Sequence, residues 1–163
     1  MKKVLVVMGS DSDLKVMEKC VDRLKSFGIP TEVRICSAHR TPAVAEQLAK
    51  NAAGEGFGVI IAAAGKAAHL GGVLAAYTTL PVIGFPMATS VMGGMDSLLS
   101  IVQMPKGIPV ATVAIDGADN AAILAAQMIA LSDEALAEKL AQFKADMAAE
   151  VTAKDEKVRA QFA

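Results

Sequence analysis

Tryptophan is missing from this sequence, tyrosine occurs once, and cysteine and histidine occur twice each. Cys20 and Cys36 fit neither a disulfide framework nor a metal-binding spacing, so free buried thiols in a reducing compartment are expected. Charge of one sign is also lacking. The 16 basic and 17 acidic residues are interspersed and leave a net charge of -1, so neither a nucleic acid nor a membrane surface is expected as a partner. No apolar run reaches the roughly 18 residues of a membrane span, and the chain enters a strand-like run at once with no cleavage-site pattern. The expected compartment is the cytoplasm. Flavin binding has weak support, because there is no Trp and the lone Tyr77 falls inside a predicted helix rather than on a loop.

What the sequence does have is apolar content. It makes up 53% of the residues, with a mean hydropathy of +0.43. At this length a single domain over residues 1–163 is expected, burying roughly 70% of the unfolded chain's surface. The apolar residues are spread along the chain, which points to further apolar surface buried between subunits of a homo-oligomer.

Val/Ile-rich runs at Lys3–Met8, Thr31–Cys36, Gly58–Ala63, Pro81–Phe85 and Pro109–Ile115 read as strands, and the spacing between them leaves room for crossover helices. The result is an α/β domain with a parallel five-stranded sheet and helices on both faces, three layers in all. In the first crossover Leu14, Met17, Val21 and Leu24 share a helical face, and Gly28 stops the helix. From about Asp133 the chain reads as one long amphipathic helix with Leu136, Leu140, Phe143 and Met147 as its stripe. Continued to about Arg159, it spans roughly 40 Å. Residues 133–163 are therefore expected to form a C-terminal helical arm whose far end packs on a neighbouring subunit.

In open parallel sheets ligands bind beyond the carboxyl ends of the strands. Three loops at that edge carry the polar residues. After the first strand comes Gly9-Ser10-Asp11-Ser12-Asp13, where Ser10 or Ser12 can cap the next helix and Asp11 and Asp13 suit its positive end. The same serine hydroxyls and free N–H groups make a phosphate seat. A carboxylate repels phosphate, so Asp13 is better suited to ribose hydroxyls.

After the second strand comes Ser37-Ala38-His39-Arg40-Thr41-Pro42, with Pro42 as first helical residue, Thr41 as its cap and the pre-proline backbone extended. Arg40 can make two bonds to a phosphate, and His39 can exchange a proton near neutral pH. The third loop, Gly65-Lys66-Ala67-Ala68-His69-Leu70, is small enough for close backbone approach to a ligand. Taken alone, His69 reads first as a hydrogen-bonded helix-start residue.

Several sharper motifs are missing. Gly65-Lys66 ends like a P-loop, but Ile60 stands in place of its first glycine and Ala67 in place of the magnesium-binding hydroxyl. There is no strand-to-helix G-x-G-x-x-G and no G-x-S-x-G elbow. A metal site would have to join His39 and His69 to distant aspartates, so no metal is expected. A receiver domain needs an acceptor Asp at the end of its third strand, and Ala62-Ala63-Ala64-Gly65 offers none.

Together, Met8-Gly9-Ser10-Asp11-Ser12-Asp13, Ser37-Ala38-His39-Arg40-Thr41-Pro42, Ala67-Ala68-His69-Leu70 and Asp96-Ser97-Leu98-Leu99-Ser100-Ile101-Val102-Gln103-Met104-Pro105 resemble the N5-carboxyaminoimidazole ribonucleotide mutase family of bacterial purine biosynthesis. Gly107-Ile108-Pro109-Val110 and the run from Asn120 to Ala126 extend the likeness over nearly the whole chain. The resemblance implies a flavodoxin-like fold with sheet order 2-1-3-4-5 and an octamer with shared active sites. It also implies an isomerase that moves a carboxylate from the exocyclic nitrogen of an aminoimidazole ribonucleotide to ring carbon C4, needing no metal, biotin or ATP as cofactor.

By this similarity Ser10, Ser12, Ser37 and Arg40 hold the phosphate, Asp13 the ribose, and Ala38, Ala68 and Leu70 the base. His39 carries the proton, His69 lies close to the imidazole, and the Gln103-Met104-Pro105 loop completes the pocket from a neighbouring subunit.

The chain departs from the family's usual Gly-Gly-Ala-Ala-His-Leu-Pro-Gly at Gly65-Lys66-Ala67-Ala68-His69-Leu70-Gly71-Gly72. A lysine adopts positive φ only at a cost, so either position 66 is unstrained or the loop differs slightly. Lys66 is then a candidate to contact a ligand carboxylate or a neighbouring subunit. The related carboxylases, which use CO2 directly, typically have Lys after the second-loop histidine and an Arg-Ser-Asn type third loop. Arg40 and Ala67-Ala68-His69 favour the mutase over that alternative. A non-catalytic flavodoxin-like binding module is the other alternative.

Overall fold

Five apolar segments pair side by side, all in parallel, in the order β2-β1-β3-β4-β5. The computed structural model describes residues 1–163, and its strands are β1 (Lys3–Met8), β2 (Thr31–Ile35), β3 (Phe57–Ala64), β4 (Val82–Pro86) and β5 (Ala111–Thr112). Central strands of a parallel sheet are covered on both faces and so read as continuous apolar runs. Val4 to Met8 and Val59 to Ala64 are accordingly all buried.

Alternate residues feed two cores. Val4, Val6 and Met8 face Met17, Cys20 and Leu24 of α1 (Leu14–Ser26) and the small residues of α5 (Ala118–Ala130). Leu5 and Val7 face the opposite layer, formed by α2 (Pro42–Ala52), α3 (Leu70–Tyr77) and α4 (Met95–Val102). The three layers and the strand order match the flavodoxin-like expectation.

Element boundaries move by a residue or two from the sequence reading, except at the fifth strand. There the expected Pro109–Ile115 shrinks to two residues. Pro109 has no N–H to give the ladder, so regular pairing starts after it. The chain nevertheless follows β4, with Val113 N–H on the Gly84 carbonyl at 3.1 Å and Asp116 N–H on that of Pro86 at 3.0 Å.

Leu14, expected on the buried face of α1, is exposed because it opens the helix at the rim of the sheet, and Cys20 takes its place in the buried stripe. Gly28 stops α1 as expected. It adopts φ 77°, its N–H reaches the Lys25 carbonyl at 2.8 Å, and Ile29 N–H reaches that of Leu24 at 3.1 Å. This pairing closes a helix through a left-handed residue.

The long C-terminal helix is present as α6 (Glu134–Gln161), capped by the Asp133 carboxylate on Leu136 N–H at 3.1 Å. Its 28 residues extend about 42 Å. Leu136 is fully buried, and Leu140 and Phe143 pack on the α1–α5 core. Phe143 meets Phe27 edge-on with ring centroids 5.5 Å apart. Met147, the last member of the expected stripe, is exposed within the single chain, as is every residue after Phe143. No helix is long and apolar enough to cross a membrane.

Candidate active site

The three polar loops meet at the carboxyl edge because β2, β1 and β3 are neighbours. They line one cleft of about 640 Å³ with Gly9, Ser10, Ser12, Asp13, Ser37, Ala38, His39, Arg40, Lys66, His69 and Leu70 on its walls.

The first loop is anchored by Gly9 N–H on the Ala63 carbonyl at 3.0 Å. Ser10 then takes an extended backbone, and its hydroxyl accepts from Ser12 N–H at 3.3 Å, which starts a short 3₁₀ turn, Asp11–Asp13, before α1. Ser12 and Ser10 hydroxyls are 3.0 Å apart. The helix-capping role expected of Ser10 is thus real, at the head of that turn. Partial burial holds the Asp13 carboxyl above its ordinary range; hydrogen bonds from the Ser10 backbone and the Ser12 hydroxyl pull the other way, and nearby Asp11 adds to the rise.

In the second loop Pro42 opens α2 as expected, but the Thr41 hydroxyl does not cap it. It turns back, donating to the Ser37 carbonyl at 2.9 Å and accepting from Ser37 N–H at 3.0 Å. Thr41, with φ -133° and ψ 56°, is outside the helical region but short of the extended backbone expected before proline. The loop is pinned locally instead. Ser37 Oγ accepts from both Arg40 N–H at 3.2 Å and Arg40 Nε at 3.4 Å, which aims the guanidinium.

His39 Nε2 lies 2.8 Å from His69 Nδ1, with the rings nearly perpendicular at 86°. His69 is the N-cap residue of α3, as expected, and its carbonyl accepts from Val73 N–H at 3.0 Å, but its side chain meets His39 instead of capping the helix. No three histidine, cysteine, aspartate or glutamate side chains converge as a metal-holding group. Ala68 is fully buried and is not part of the cleft wall, whereas Leu70 reaches it. Lys66 has φ 58°, so the lysine does occupy the left-handed region. Met104 packs on Gly72 of its own chain, approaching to 3.1 Å of where a Cβ would stand.

A fourth loop, which carries no motif among those singled out in the sequence, completes the cleft. Met87, Ala88, Thr89 and Ser90 line the cleft after β4. Ala88 N–H is held by the Asp116 carboxylate at 2.9 Å, Thr89 Oγ1 donates to Asp96 Oδ1 at 2.8 Å, and buried Ser97 donates to the Met87 carbonyl at 2.5 Å. Gly94, at φ 95°, lets this loop close, since a Cβ there would stand 3.1 Å from the Ala88 Cα. Its position after a strand was the available signal.

A family model described as AIR carboxylase matches residues 3–150. An N5-carboxyaminoimidazole ribonucleotide mutase of Methanocaldococcus jannaschii is 52% identical over 159 residues, covering 98% of this chain and 99% of that protein. One of Thermotoga maritima is 51% identical, covering 97% and 92%. The crystal structure of Treponema denticola PurE superposes with a TM-score of 0.85 at 31% identity, covering 94% of this chain and 96% of that one.

Proposed function

This chain belongs to the AIR carboxylase family, and on that premise we propose that it converts N5-carboxyaminoimidazole ribonucleotide to 4-carboxy-5-aminoimidazole ribonucleotide in purine biosynthesis. The observation that carries the reading is the contact between His39 and His69 in a cleft whose other walls bear the serines and Arg40. Arg40 and the hydroxyls of Ser10, Ser12 and Ser37 hold the phosphate, and Asp13 holds the ribose. Ala38, Ala68 and Leu70 shape the base pocket, with Ala68 acting from behind the wall. Binding of the phosphate and ribose, remote from the reacting atoms, fixes the ring relative to the histidines.

The reaction is a net isomerisation. Protonation of the carbamate nitrogen lets the C–N bond break, with its electron pair staying on nitrogen and CO2 leaving. The resulting aminoimidazole is nucleophilic at C4 and attacks CO2 to form the new C–C bond. A base then removes the C4 proton and restores aromaticity. One proton leaves C4 for each proton delivered to nitrogen, so His39 can shuttle it and finish in its starting state. Such acid–base help contributes roughly 10²–10⁴ in rate. Ala38, Ala64, Gly65 and Ala67 give the cleft a small apolar wall against which CO2 is held for recapture.

We also propose that the chain is one domain with residues 133–163 as an arm, that it assembles as an octamer in the cytoplasm, and that the Gln103-Met104-Pro105 loop reaches a neighbouring subunit's site. The support for assembly is exposed apolar surface on and before α4, at Val91, Met92, Met95, Leu99 and Val102.

An assay of the purified chain with the N-carboxylated nucleotide, without bicarbonate or ATP, tests the reaction. Formation of the C4-carboxylated product is expected. Turnover seen only as CO2-dependent carboxylation of the decarboxylated nucleotide overturns it.

A further inference from the structure

Lys66 stands where the backbone favours glycine. Its φ of 58° is left-handed, a conformation that strains any residue with a Cβ. The neighbouring Gly65 does not have a left-handed φ, and a Cβ there would stand 3.4 Å from Met87 Cβ and Thr89 Cγ2, at the edge of ordinary contact. The loop thus places a lysine, and not the glycine beside it, at the position whose dihedral favours glycine.

The placement gives the side chain a job within the cleft. Ser100 Oγ, from α4, donates to the Lys66 carbonyl at 3.4 Å and ties this residue to the β4 side. Lys66 lines the cleft, and its ammonium makes no ion pair or hydrogen bond with the protein. Arg40, the other cation of the cleft, has only Ser37 as a partner. Arg40 follows β2 and Lys66 follows β3, with β1 between them, so two inter-strand steps set these loops about 10 Å apart. The contact between His39 and His69 bridges the same two loops. Two cations on separate loops of one cleft, neither of them in an ion pair and with the two histidines in the same cleft, match a ligand that carries two anionic groups.

We infer that Lys66 is a specificity-determining residue that grips the migrating carboxylate of the nucleotide while Arg40 holds its phosphate. The inference rests on the mutase reading of this site. A charge-assisted hydrogen bond of this kind is made to the carboxylate of substrate and product alike and is lost only at the neutral CO2 stage. Its effect therefore falls on binding: removing the ammonium raises KM and leaves kcat unchanged or slightly higher.

Calorimetric titration with 4-carboxy-5-aminoimidazole ribonucleotide and with 5-aminoimidazole ribonucleotide, which lacks the carboxylate, tests this. Lys66→Met is expected to weaken the carboxylated nucleotide about tenfold and to leave the other within about twofold of the unsubstituted chain. Lys66→Arg restores most of the loss. Lys66→Gly shows the same selective loss with a higher Tm, because it also relieves the left-handed backbone. Equal affinities for both nucleotides before and after Lys66→Met, or equal losses for both, overturn the inference. If the unsubstituted chain binds neither nucleotide, the mutase reading falls and takes this inference with it.

Discussion

His39 Nε2 and His69 Nδ1 share one hydrogen bond of 2.8 Å, although they lie 30 residues apart in the chain and follow strands separated by β1. Only one proton can occupy that bond. Whichever ring donates it, the partner must present a lone pair, so each histidine fixes the tautomer of the other. His39 can thus carry protons on both ring nitrogens only while His69 presents a lone pair at Nδ1.

Replacing His39 by Asn should leave nucleotide binding largely intact and lower turnover by roughly 10²–10⁴. Because the two rings act as a unit, the double variant with His69→Asn should lose little more than His39→Asn alone. Single-turnover rates with the carboxylated nucleotide measure both. Near-normal turnover in His39→Asn places the proton carrier elsewhere, and strictly multiplicative losses show that the two histidines act separately.

Much of this arrangement was legible in the sequence, for a physical reason. A central parallel strand is buried on both sides, so segments such as Val4–Met8 declare themselves without any partner in view. Polar loops at their carboxyl ends then mark the ligand edge. What stayed hidden depends on contacts distant in the chain. The hydrogen bond between His39 and His69 needs the β2-β1-β3 order, the turned-back Thr41 hydroxyl needs the actual course of the 37–41 turn, and the Met87–Ser90 wall needs Asp116 and Ser97 to hold it. Leu14 and Pro109 mislead in the opposite sense, since each belongs by pattern to an element whose end the tertiary structure leaves outside.

Alkaline pH should weaken the fold through Cys20. This thiol is completely buried on α1, and burial, followed by the charge of Asp119, pushes it up to about 12 from its ordinary 9.0. Between those values the unfolded chain has lost a proton that the folded chain keeps. Stability is then lost as pH rises through that window, at up to about 1.4 kcal/mol per unit. Cys20→Ala removes this slope while costing about 1 kcal/mol at neutral pH for the space left behind. Urea unfolding at pH 7 and pH 10.5 should show the order of the two proteins reversed, because the thiol's loss of about 2 kcal/mol at the higher pH exceeds the cost of the substitution. Parallel losses would mean that the thiol does not contribute.

The outer half of α6 carries the last prediction. Leu136, Leu140 and Phe143 end their contacts with the body of the protein, yet Met147, Val151 and Val158 continue at helical spacing, at 43%, 66% and 52% exposure. A helix that only fringed the domain would have no use for that continuation, because an apolar residue gains nothing from burial against water. A neighbouring subunit gives it one. Val151→Glu combined with Val158→Glu touches no contact within the single chain, so far-UV circular dichroism and the fold of the domain should be unchanged. Burying two carboxylates at a subunit contact is unfavourable, so the mass in sedimentation equilibrium should fall from that of the unsubstituted assembly to a smaller species. An unchanged mass would show that the stripe faces solvent in the assembly and that subunits meet elsewhere, with the exposed face of α4 as the remaining apolar surface.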